Sequence, residues 1–131
     1  INENLIVCKD NDGKVYWPQY GFNGIGDLLI GQGYQIKTNT ISGFNLCGKY
    51  AQPIENSIEL VPGWNMIGYL RVESEYVDVV LNKINSSGNL IMVKDYMGTV
   101  YIPEFNFNGI GFMMPGQGYQ IKVTEHDRLQ Y

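Results

Sequence analysis

The chain has 131 residues, 44% of them hydrophobic, and a net charge of −4; that length suits one domain or two very small ones, and that apolar fraction suffices for a core. Its nine Lys and Arg are scattered singly along an acidic chain, which excludes the clustered cations a nucleic-acid surface needs. No apolar run approaches the roughly 18 residues of a membrane-spanning helix, and no basic segment leads into an apolar one at the start.

In chain order, residues 5–9 (LIVCK) are a short apolar run bounded by turn residues, which predicts a buried strand. DNDG (10–13) turns the chain, with Gly13 expected to supply a positive φ. KVYW (14–17) is a second strand, stopped at Pro18 because proline cannot donate to a ladder. A loop with Gly24, Gly26, Gly31 and Gly33 follows, and GYQIKT (33–38) reads as a third strand. The loop does not match a phosphate cradle. A dinucleotide fingerprint would need glycine at Leu29, a Walker loop would need lysine at Tyr34, and a strand, not a helix, comes next. Its glycines are therefore read as turn residues.

Beyond this, GFNLC (43–47) and SIELV (57–61) are expected to be extended, and WNMIGYL (64–70) to be a strand. Apolar Tyr76, Val77, Val80, Leu81 and Ile84 share one helical face, which predicts a helix over 74–85 capped by Ser74 and left at Gly88. LIMVK (90–94), a DYMG turn with Gly98, TVYI (99–102) stopped by Pro103, and GYQIKV (118–123) then repeat the opening pattern. Gly109, Gly111, Gly116 and Gly118 stand where Gly24, Gly26, Gly31 and Gly33 stood.

The repetition is quantitative. Residues 4–37 and 89–122 align without a gap at an offset of 85, identical at 21 of 34 positions through the blocks NLI, KD, G, VY, P, FNGIG and GQGYQIK. Such self-similarity marks an internal duplication. The second copy is preceded by IELVPGWNMIGYLRVESEYVDVVLNKINSSG (58–88), and the first by almost nothing. The expected organisation is one and a half copies: a half unit with its connector over 1–52 and a full unit over 53–131, in one compact domain. Either the upstream piece has been removed, or something else completes the half unit.

Residues with chemical potential are few. Cys8 and Cys47 leave two readings open, a bridge closing a loop of roughly 40 residues or two free thiols. Asp10 and Asp12 resemble the start of a calcium loop, but the final glutamate is missing and Met97 replaces Asp12 in the second copy, so a plain turn is expected. His126, the sole histidine, reads as a surface residue of a last strand, and Glu73, Glu75 and Asp78 suit a helix N-terminus. No catalytic residue, metal site or cofactor is expected. Tyr16, Trp17, Tyr20 and Tyr101 are candidates for a glycan-binding platform; because Ile102 replaces Trp17, the Trp17 face is expected to be buried.

The run WNMIGY (64–69), VKDxxGxVYxPE (93–104), NGIG (108–111) and PGQGYQIK (115–122) resembles a repeat module near the C-terminal regions of large secreted and cell-surface proteins of Bacteroidota-type bacteria. The likeness covers residues 60–122 fully and 4–37 as a half unit. It implies a β-rich extracellular module and supplies no catalytic residues. The expected class is thus mainly β, antiparallel and sandwich- or barrel-like, with one short α-helix. The expected role is an extracellular structural or adhesive module, a pilus- or fibril-like subunit completed by strand exchange with a neighbour. Its partners would be other copies in head-to-tail assembly or neighbouring repeat modules. A carbohydrate-binding module is the competing reading, with glycans as ligands.

Overall fold

Apolar pentapeptides open both units, and each becomes an inner strand of an antiparallel sheet. The computed structural model describes residues 3–45 and 47–131. In the first unit the strands are β1 (Leu5–Lys9), β2 (Val15–Trp17), β3 (Phe22–Asn23) and β4 (Gln35–Thr38), laid side by side as β3-β2-β1-β4. Next come β5 (Ile58–Leu60), β6 (Gly63–Gly68) and β7 (Glu75–Tyr76), then α1 (Val77–Val80) and α2 (Asn82–Ser86). The second unit adds β8 (Leu90–Lys94), β9 (Val100–Ile102), β10 (Phe107–Asn108), β11 (Phe112–Met113), β12 (Gly118–Val123) and β13 (Asp127–Leu129). Its main sheet runs β10-β9-β8-β12-β6, while β11 pairs β7 and β13 pairs β5. Every strand pairing is antiparallel, as expected of a mainly β chain with little helix.

Matched residues make matched bonds. Asp10 Oδ1 accepts from the N–H groups of Asp12 and Lys14, and Asp95 Oδ1 from those of Met97 and Thr99, so each carboxylate closes its own turn. Gly13 and Gly98 take the positive φ expected there. Asn23 and Asn108 hold Gly26 and Gly111 through their side-chain oxygens. The Tyr34 hydroxyl accepts from Leu29 N–H and that of Tyr119 from Met114 N–H, both at 2.8 Å. Pro18 and Pro103 each start a single 3₁₀ turn.

The helix departs from expectation. It begins at Val77 rather than at 74, and Ser74 does not cap it; Glu75–Tyr76 are drawn into pairing with Met113 and Phe112, with Tyr76 stacked on the Phe112 ring at 4.0 Å. The helix also breaks at Leu81, whose φ and ψ of −101° and 11° lie off the helical values. Of its expected apolar face, Val77, Val80, Leu81 and Ile84 are buried in one cluster with Leu60, Ile67, Met113, Tyr119, Ile121 and Leu129, while Tyr76, drawn into β7, is exposed. Gly88 leaves it with φ +78°. In the connector, residues 57–61 supply β5; of 43–47, Leu46 lies outside the described residues and the others form no strand.

One strand ties the units together. β6 pairs with β12 along one edge. On its other edge Gly33 N–H donates to Met66 O and Gly68 N–H to Gly31 O, while Met66 N–H reaches Asn11 Oδ1 at 2.6 Å. This approach needs a glycine, because a Cβ on Gly33 would lie 2.7 Å from Ile67 O.

Candidate functional site

In the second unit the sheet is covered on one face. Tyr101, Met113, Tyr119 and Ile121 turn toward the α1–α2 side chains and are all buried. Their sheet is closed at the β12 edge by β6, with Tyr119 opposite Ile67 and Ile121 opposite Asn65. Asn65 in turn fixes the preceding turn, accepting from Val61 N–H and donating to Val61 O.

The first unit carries the same face without its cover. Tyr16, Leu28, Tyr34 and Ile36 are the counterparts of Tyr101, Met113, Tyr119 and Ile121. With Leu5, Cys8 and Ile25 they line an open, mostly apolar groove of about 460 Å³. The motif GYQIK is identical in both units, yet Ile36 is 43% exposed and Ile121 fully buried. No strand lies beyond β4 among the described residues, so its outer edge presents unpaired backbone groups from Tyr34 to Thr38. Among the described residues the connector does not close the sheet, and of its side chains only Phe44 reaches the groove.

The opposite surface repeats the contrast. In the second unit the Trp64 ring lies 5.6 Å from both Lys94 Nζ and Lys122 Nζ, a cation–π arrangement that holds the indole on the sheet. Lys9 and Lys37 are the matching residues of the first unit and are exposed, with no cation–π contact among the described residues.

The other candidate residues are dispersed. Of the proposed glycan platform, Tyr101 is buried at 6% exposure and drops out, while Tyr16 lines the groove. Trp17 is exposed, contrary to the expectation for its face, and meets exposed Tyr20 edge to face at 4.9 Å. Trp17 and its match Ile102 lie on the face opposite Tyr16 and Tyr101, away from the side that α1 and α2 cover, and Ile102 is itself only half-buried, so its apolar character did not signal a buried face. Cys8 is buried and Cys47 exposed, and both are free thiols. Burial, and next the charge of Asp10, push the Cys8 thiol above its ordinary pKa. The repeat glycines act in turns and close approaches: Gly26, Gly31, Gly111 and Gly116 have positive φ, Gly24 and Gly109 lie under the Phe22 and Phe107 rings, and Gly33 and Gly118 face Ile67. His126 is exposed just before β13. Among the described residues no three His, Cys, Asp or Glu side chains group as a metal site, and no helix is long and apolar enough to cross a membrane.

The uncovered face was hidden from composition and motif, since the residues that line it are those of a core. The signal that could find it was the missing counterpart of residues 58–88. No family model, curated protein or solved structure matches the chain.

Proposed function

We propose that the chain is a structural, adhesive module that docks a neighbouring module onto the open face of its first unit, as one link in an extracellular array or filament. The observation that carries this is the unequal fate of GYQIK, core in one unit and exposed rim in the other. An exposed apolar groove beside an unpaired strand edge is what strand addition uses: main-chain bonds give affinity and side-chain pockets give specificity. A photo-reactive residue at position 36, expressed in the native cells, tests it. Capture of a protein partner at 36, and none at exposed Val79 on α1, is the expected result. Equal or absent capture at the two positions overturns it.

The exposed Trp17–Tyr20 pair favours a second reading, a carbohydrate-binding module, since aromatic faces stack on sugars. A glycan array whose hits vanish with Trp17→Ala supports it, and an array with no hits removes it.

A further inference from the structure

We infer that the partner docked on this face presents a strand followed by a short amphipathic helix, of the same kind as residues 58–88 of this chain. The inference rests on the docking reading and names its occupant. The second unit is the template, because there such a segment already sits on the matching face. β6 closes the edge of β12, and Val77, Val80, Leu81 and Ile84 fill the space over Tyr101, Met113 and Ile121.

Transferred by the repeat offset, the occupant's strand adds antiparallel to β4. Tyr34 faces the residue in the place of Ile67, and Ile36 the residue in the place of Asn65. An aromatic in the place of Trp64 falls between Lys9 and Lys37, as Trp64 does between Lys94 and Lys122. The helix lays its apolar face over Tyr16, Leu28 and Ile36. The chain's own β6 leaves room for this: it bonds residues 31–33 and leaves the edge from Tyr34 onward free. Two lysines with no anionic partner among the described residues further favour an aromatic or acidic strand over a basic one.

A second copy of this chain is a poor donor. Its own 58–88 segment covers its second unit, so moving that segment would open one face to close another. The occupant is therefore a strand–helix segment other than residues 58–88 of a second copy, one with no sheet of its own to cover.

A synthetic peptide of residues 58–88 titrated into the full chain tests this, with amide hydrogen exchange as the readout. Exchange at Tyr34 and Ile36 is expected to slow by about tenfold or more as their edge becomes paired. The same peptide with Leu81→Asp and Ile84→Asp should bind at least about tenfold more weakly, because it would bury unpaired charge. Chain carrying Ile36→Glu, shown folded by unchanged protection of Ile121, should likewise lose binding. Equal binding by the doubly substituted peptide, or protection gained only on β12, overturns the inference. Unchanged exchange at millimolar peptide while position 36 still captures a partner in cells overturns the strand–helix occupant and leaves docking standing. Peptide binding with no capture in cells supports the occupant and overturns docking as the native function.

Discussion

At the scale of single residues, the two GQG motifs look interchangeable and are not. A Cβ on Gly33 would lie 2.7 Å from Ile67 O and 2.8 Å from Ile67 N, both backbone atoms that cannot swing aside. On Gly118 the closest atom would be Ile67 O at 3.5 Å, an ordinary contact. Gly33→Ala is therefore expected to cost about 1–3 kcal/mol through overpacking, and Gly118→Ala less than about 1 kcal/mol. Urea midpoints of the two variants check the order; a Gly118→Ala loss equal to that of Gly33→Ala would falsify the account. Asp127 gives a pH dependence. Its carboxylate accepts from Asn89 Nδ2 at 3.0 Å and Ser87 Oγ at 3.1 Å, tying β13 to the end of α2. The Asn89 bond first, opposed by burial and then joined by Arg128 N–H, Ser87 and the Lys83 charge, holds its pKa below the ordinary value. A depressed folded pKa means the group's contribution is complete above the unfolded carboxylate value, about 3.9, and is lost as pH falls through the folded one. Asp127→Asn should thus remove part of the stability loss between pH 5 and pH 2, in denaturant titrations run across that range, each pH being about as stated.

At the scale of elements, the same isoleucine in the same pentapeptide should behave in two ways. Ile121→Ala empties a filled site and is expected to cost about 2–5 kcal/mol. Ile36→Ala, on a rim already half open to water, should cost less than about 1 kcal/mol in the isolated chain. Thermal unfolding of both variants decides it, and a large loss for Ile36→Ala would show the groove to be covered in solution. This contrast marks how far the sequence could be read. The period-two and helical patterns placed the strands and the apolar face of the helix, because those patterns are the local imprint of which side is buried. The turns were legible through Gly13, Gly98, Pro18 and Pro103, whose backbone restrictions act without neighbours. The start of the helix was not, since β11 claims Glu75 and Tyr76 for a ladder that no local signal announces. The exposure of Trp17 was missed because alternation tells which residues share a face and not whether that face is covered: its match Ile102 lies on the face of Lys94 and Trp64, away from the helices, and is only half-buried.

At the scale of the molecule, the two units should differ in how readily they open. The second is backed by the helices, β5, β6 and β13, and its core residues Val93, Ile121 and Leu81 are fully buried. The first is anchored through Asn11 and residues 31–33 to one edge of β6, and among the described residues no strand or helix layer backs its sheet. Local opening free energies follow buried contacts, so β1–β4 should open below the global unfolding free energy and β8 and β12 only with it. Cys8 reports this directly, because it is buried in β1, facing the groove, and its raised pKa keeps it a thiol at neutral pH until it is exposed. With iodoacetamide, mass spectrometry should find exposed Cys47 modified at once and Cys8 slowly, at a rate set by opening of the first unit. Leu81→Ala, which weakens only the second unit, should then speed exchange at Ile121 and leave Cys8 labelling unchanged. Were Cys8 to accelerate in step with Ile121, the molecule would open as one cooperative body, and the first unit would be held by its neighbour far more firmly than its few bonds to β6 account for.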